Sequence, residues 1–285
     1  MGLDVYASDL NPVAGLLTWA AINICGASYA EIEEVKKFQQ EIYDAVDKEI
    51  AELGIEHNEK GDRAVSYLYC VEAVCPECGI KVPMAPSWVI GKGTKTIAML
   101  AKSGNRYDID VKMSATATEM KEAENGTVTS KGLVCPHCGK TTPISVLRHD
   151  RKDENGDTVY GLRRWEKSEF EPRPDDVYQE RLYCVKYEKP AKEKSRAERY
   201  YRAPNERDIA NEEDVRRIVA QNIVKWQEQG LVPSMEIESG YNTEQLIRER
   251  GWTHWNHLFN AWQLFLLSRL IRSVKKAENS ILIAI

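Results

Sequence analysis

Two six-residue phrases, VCPECG ending at Gly79 and VCPHCG ending at Gly139, carry the most specific chemistry in the chain. In each, two cysteines are separated by two residues: Cys75 with Cys78, and Cys135 with Cys138. A Cys-x-x-Cys turn presents two thiolates to one face of a tetrahedral metal. The glycine that follows lets backbone N–H groups fold back toward the sulfurs. Two such knuckles supply four thiolates, the ligand set of a closed structural zinc site with no open position for catalysis. Their separation exceeds that of a compact ribbon, so the β-like sequence between them reads as a large insertion. A redox pair needs a single motif and normally opens a helix, whereas both knuckles run on into β-like sequence. A disulfide within each motif would be strained. His137, inside the second knuckle, is expected to be exposed rather than ligating. Zinc ribbons of this kind either touch nucleic acid or brace a region too thin for its own core.

Composition sets the background. The chain has 285 residues, a formal net charge of −5, 42% hydrophobic and 29% charged residues. It therefore supports a core, or two modest domains, but has no global basic field for nucleic acid. Any such contact must come from a local patch. The longest apolar stretch, Val13 to Ile24, is too short to span a membrane, and no basic segment followed by an apolar core marks secretion. Of the seven cysteines, Cys25, Cys70 and Cys184 lie outside the knuckles in apolar surroundings, a distribution that suits a reducing cytoplasm.

The elements that must position the knuckles follow from periodicity. Leu3, Val5 and Ala7 alternate as a short strand, the turn SDLNP follows, and Asn11 with Pro12 starts a helix whose buried face is Val13, Leu16, Leu17, Ala20 and Ile24. Strand, acidic turn and helix make half of a βαβ unit. Ser28 and Glu31 form a capping box for a second helix, closed by Gly54, with an apolar stripe from Ile32 to Leu53. From Ala64 to Arg148 the chain reads as short β segments. AVSYLYCVEAV enters the first knuckle, RYDIDVKM alternates as a strand, and GKGTK is a hairpin tip that lacks the spacing of a phosphate loop. Residues 164 to 206 are charged and aperiodic apart from the strand-like ERLYCVKY. A helix over Asn211–Gln229, a short helix, an aromatic knot and a long amphipathic helix complete the chain.

Two further clusters invite a functional reading. WTHWNHLF gathers Trp252, His254, Trp255, His257 and Phe259. These side chains can stack a base, or the aromatics can fill a helix junction while the histidines cap the next helix; the structural role is the expectation. From Lys186 to Arg202 seven Lys or Arg stand against three Glu, which suits either a phosphate backbone or a solvated loop.

On ASDLNPVAGLLTWAAINI, the paired CPxCG knuckles, YGLRRWEKSEFEPRPDDVYQERLYCVKY and GYNTEQLIRERGWTHWNHLFN, the chain resembles the large prokaryotic DNA adenine methylases that carry a built-in zinc-ribbon module. Members of that family often sit among phage-defence genes. The resemblance implies an α/β, overall α+β, fold: a partial Rossmann-like methyltransferase portion over residues 1–60, a zinc-ribbon insertion over 61–150, and a charged connector and helical segment over 151–285. It implies S-adenosylmethionine as cofactor, with Asp9 accepting hydrogen bonds from its ribose hydroxyls, and DNA as the partner. It also implies Cys75, Cys78, Cys135 and Cys138 as structural zinc ligands. Two family features are missing from this sequence: the glycine-rich DP-x-x-GGG loop and the Asp/Asn-Pro-Pro-aromatic motif that grips the flipped adenine. Where the family usually has an Arg before QLL, this chain has Trp262. The expectation is the middle of such an enzyme, a split or incomplete methyltransferase that needs a partner subunit and is inactive alone. The alternative is a non-enzymatic zinc-ribbon protein that binds DNA or a partner.

Overall fold

The computed structural model describes residues 12–23, 26–190 and 197–276. The expected first strand and Asp9 lie outside the described residues. The chain divides into two compact units, one of residues 1–53 with 266–285 and the other of residues 54–265.

In the smaller unit, α1 (Pro12–Asn23) is followed by α2 (Tyr29–Leu53). The capping box forms as the sequence dictates: the Ser28 N–H donates to Glu31 Oε2 at 2.7 Å and the Glu31 N–H to Ser28 Oγ at 3.4 Å. Gly54 closes the helix at φ +67°, a backbone region that a side chain resists. Val35, Val46 and Ile50 form the buried stripe. The buried face expected for α1 is corrected, because Val13, Leu16 and Leu17 are 60%, 53% and 65% exposed. That helix is apolar all round, so its spacing singles out no face.

The larger unit is built on β1 (Arg63–Val74), the strand that delivers the chain to the first knuckle. β2 (Lys81–Met84) leaves that knuckle and pairs back on β1. β3 (Val89–Gly91), β4 (Thr96–Ser103) and β5 (Arg106–Lys112) form an antiparallel sheet with the GKGTK turn at one tip. After α3 (Ala117–Glu122), the short strands β6 (Val128–Thr129), β7 (Gly132–Val134) and β8 (Thr141–Thr142) surround the second knuckle. A single turn, α4 (Ile144–Leu147), leads to the hairpin of β9 (Arg151–Lys152) and β10 (Thr158–Val159). β11 (Gln179–Glu188) then returns to pair with β1, and β12 (Arg199–Arg202) completes a sheet of order β12-β11-β1-β2.

The charged stretch thus supplies the central partner of β1. Helices α5 (Glu206–Glu228) and α6 (Glu244–Arg250), a 3-10 turn over Trp255–Leu258, and α7 (Ala261–Val274) follow. α5 starts earlier than its apolar periodicity, at a capping box of Asn205 and Asp208, and buries Val215, Val219, Ile223 and Trp226. Asp208 also accepts from Arg202 Nη1 at 2.5 Å and from the Tyr187 hydroxyl, tying the cap to the sheet.

The architecture is mixed α and β, α+β overall. Every strand pairing among the described residues is antiparallel. No described helix is long and apolar enough to cross a membrane.

Candidate metal centre and a clamped loop

The knuckles are two copies of one local structure. In the first, the Cys75 N–H donates to the Ile80 carbonyl and the Gly79 N–H to the Cys75 carbonyl, both at 2.8 Å. In the second, the Cys135 N–H donates to the Lys140 carbonyl and the Gly139 N–H to the Cys135 carbonyl, both at 2.9 Å. Gly79 and Gly139 adopt φ of +73° and +70°, so each CPxCG phrase needs its final glycine. β1 and β2 carry one knuckle, and β7 and β8 the other. Their packing brings Cys75 Sγ to 3.8 Å from Cys138 Sγ, and Cys78 Sγ to 3.7 Å from Cys135 Sγ.

All four sulfurs lie within 4.8 Å of one another, a cluster that can hold a metal ion. The separations are far beyond a disulfide bond. The cysteines sit in an apolar shell with Ile80, Val82, Tyr107, Leu133 and Leu147. Burial pushes the Cys75 thiol up, so a bound cation is what would hold it as a thiolate. His137 is exposed, in line with its sequence reading.

Beside β1 lies a loop whose order the sequence did not announce. Arg163 forks onto Asp176, with Nε to Oδ1 at 2.9 Å and Nη2 to Oδ2 at 2.6 Å, and its Nη1 donates to Glu169 Oε2 at 2.7 Å. Arg173 Nε donates to the other Glu169 oxygen at 2.5 Å. Gln179 Nε2 then donates to the Arg173 and Asp176 carbonyls at 2.7 and 2.9 Å. Against the opposing effect of burial, Arg163 holds the Asp176 carboxyl below the usual carboxylate range.

The segment after α6 clamps the same loop from the other side. The Trp165 N–H donates to the Gly251 carbonyl at 2.8 Å, and Thr253 Oγ1 donates to the Trp165 carbonyl at 2.7 Å. Fully buried Asn256 donates through Nδ2 to the Lys167 and Glu169 carbonyls at 2.9 and 3.0 Å. His257 Nε2 lies 3.0 Å from the Glu166 carbonyl, while its Nδ1 is 3.1 Å from the Thr253 N–H and 3.3 Å from the His254 N–H. These partners define a neutral ring that donates through Nε2 and accepts through Nδ1. Burial pushes its pKa down to about 4.

WTHWNHLF is therefore structural in large part, and its histidines secure the loop and the 3-10 turn. They do not cap α7: that cap is Asn260, whose Oδ1 accepts from the Gln263 N–H at 3.0 Å. Trp262 stacks on Tyr67 with ring centroids 4.5 Å apart, and its Nε1 donates to Glu212 at 2.6 Å.

The described part of the basic stretch is engaged in its own hairpin, with Lys189 on Glu198 at 2.7 Å and Arg199 on Glu188 at 2.6 Å. Asp9 lies outside the described residues. Sequence reading missed Arg163, Asp176, Gly251 and Asn256. The one local sign was Gly251, directly after the α6 periodicity. No family model, curated protein sequence or solved structure matches this chain.

Proposed function

We propose that the four-thiol cluster holds one structural zinc ion, and that the chain is the zinc-ribbon-bearing portion of an S-adenosylmethionine-dependent, adenine-specific DNA methyltransferase. The observation that carries the metal assignment is the pair of sulfur separations, 3.8 and 3.7 Å. A tetrahedron of thiolates at about 2.3 Å from zinc has edges of about 3.8 Å. With four thiolates the ion is closed to substrate, so its role is to brace the β module that faces DNA.

The methyltransferase reading rests on the ASDLNPVA phrase in one chain with the two knuckles. In it, Asp9 holds the cofactor ribose within a Rossmann-like portion. The glycine-rich loop and the base-gripping motif come from outside this sequence, in a longer polypeptide or a partner subunit. The reaction is then direct displacement by adenine N6 on the cofactor methyl group. The second reading, a non-enzymatic zinc-ribbon module that binds DNA or a partner, is favoured by the wholly antiparallel pairing of the described strands.

Deletion of the gene from its host, followed by genome-wide mapping of N6-methyladenine, separates the two. Methylation should vanish at one sequence motif and return with the intact gene but not with a Cys75→Ser copy. An unchanged methylation pattern overturns the methyltransferase reading.

A further inference from the structure

The four clustered cysteines are not equivalent. Cys75 and Cys135, the first of each knuckle, are buried at 0% and 1% exposure. Cys78 and Cys138, the second of each, are half-buried. Each knuckle thus offers one sheltered and one accessible sulfur. The two close approaches cross between the knuckles and join unlike members: half-buried Cys78 lies 3.7 Å from buried Cys135, and half-buried Cys138 lies 3.8 Å from buried Cys75.

That arrangement suits a two-step thiol oxidation. An accessible thiolate reacts with a hydroperoxide, and the sulfenic acid formed condenses with a neighbouring thiol. The Cys78 sulfur attacks one peroxide oxygen; an S–O bond forms, the O–O bond breaks, and the second oxygen leaves as hydroxide, which takes up a proton. The Cys135 sulfur then attacks the Cys78 sulfur; an S–S bond forms, the S–O bond breaks, and a second hydroxide is protonated to water. Two electrons have passed from the sulfur pair to one hydroperoxide. Cys138 and Cys75 repeat the sequence with another. Disulfide sulfurs are no longer anionic ligands, so the cluster releases its cation.

Connectivity follows from position. Of the pairings open to four cysteines, only Cys78–Cys135 with Cys75–Cys138 uses both close approaches. A disulfide needs sulfurs about 2.05 Å apart, a separation the cross pairs reach by side-chain rotation while both glycine-closed turns keep their backbone. A bridge within a knuckle closes a tight ring in a turn already fixed by Gly79 or Gly139, and leaves the knuckles unjoined. The cross pairs tie the turn between β1 and β2 to the turn between β7 and β8, so a covalent brace replaces the metal brace.

Cys70 and Cys184 supply a contrast within the same unit. They are buried at 6% and 0%, lie outside the cluster, and have thiols pushed up to about 12 by burial. Both should stay reduced under conditions that oxidise the cluster.

We propose that the cysteine cluster is an oxidant-responsive switch: a hydroperoxide, entering at Cys78 and Cys138, converts it from a metal centre into the disulfides Cys78–Cys135 and Cys75–Cys138. This inference rests on the zinc assignment above.

The test loads the full chain with zinc, measures its metal content, and adds hydrogen peroxide in steps beside a colorimetric zinc indicator. One zinc per chain should appear for about two peroxides consumed, and dithiothreitol with fresh zinc should restore the starting state. Trypsin digestion without reductant should then recover the peptide holding Cys75 and Cys78 linked to the peptide holding Cys135 and Cys138. A short pulse of dimedone, which traps sulfenic acids, should label Cys78 and Cys138 several-fold more than Cys75 and Cys135, with Cys70 and Cys184 still thiols. A chain that never holds zinc overturns the metal assignment itself. Three results overturn the switch and leave that assignment standing: zinc kept until Cys70 and Cys184 are also oxidised, bridges formed within each knuckle, or dimedone found first on Cys75 and Cys135.

Discussion

The larger unit solves one problem in two ways. The knuckle module and the loop over residues 161–177 are both rich in turns, and each is closed by groups that meet from separate turns. The first is closed by four sulfurs that converge on a single point. The second is closed by many separate contacts: the Arg163 fork on Asp176, Asn256 and His257 on backbone carbonyls, and Trp165 on Gly251. A metal centre concentrates its stabilisation, so removal of one ligand removes most of it. A hydrogen-bonded clamp spreads its stabilisation, so each contact is modest and the cost depends on what is left unsatisfied.

The sharpest way to separate the two is at the metal. Cys75→Ser, or a strong chelator, should abolish the one-to-one zinc content. It should also make residues 64–148 protease-sensitive, a loss of several kcal/mol set against the roughly 10–16 kcal/mol with which structural zinc binds small domains. Hydrogen exchange in the 161–177 loop should change far less. Metal-free protein with unchanged protease resistance would show that the sulfurs brace nothing.

The converse substitution acts on the loop alone. Gly251 sits at φ +75°, and a Cβ there would lie 2.0 Å from the Arg163 carbonyl oxygen. Gly251→Ala should cost roughly 2–4 kcal/mol in denaturant unfolding and leave zinc content intact. Loss of zinc in that variant would mean that the two regions are not energetically separate.

A smaller effect comes from acid. His257 is neutral in the fold, with a pKa lowered from 6.5 to about 4 by burial. The unfolded chain therefore binds the extra proton first as pH falls. The stability tied to the neutral ring is complete above about pH 6.5 and is lost progressively as pH drops toward 4. His257→Gln should flatten the melting-temperature profile in that window, and a slope equal to wild type would remove His257 from the clamp. The smallest effect is expected at the rim, where Arg173 pairs with Glu166 at 2.6 Å but with side chains 42% and 71% exposed. Glu166→Ala should change unfolding free energy by less than about 0.5 kcal/mol.

The same contrast explains what could be read in the sequence. The knuckles were legible because their geometry is local: six residues specify a turn, two ligands and the glycine that closes it. The Ser28–Glu31 box and Gly54 were legible for the same reason, and α2 runs between them as expected. The clamp was illegible because its partners are distant, as with His257 and Glu166, which lie 91 residues apart. Arg163, Glu169, Arg173 and Asp176 pair with one another, but at separations of 13, 6 and 4 residues along a loop, so in the sequence they look like an aperiodic charged stretch. α1 failed differently: an apolar helix with no polar face gives periodicity nothing to report. β11 was visible as a strand, but nothing local revealed that it pairs with β1.

That pairing has a consequence for synthesis. Glu72 on β1 and Arg181 on β11 are joined by a 3.0 Å ion pair, yet stand 109 residues apart in the chain. At about 5–20 residues per second, β1 leaves the ribosome some 5–20 seconds before the strand that covers one of its edges. During that interval β2 can occupy the other edge and the two knuckles can close, but the ladder meant for β11 is open to any passing strand. The nascent chain is most vulnerable to aggregation in that window, because how much of the module is ordered when β11 arrives depends on what the first 148 residues can close by themselves.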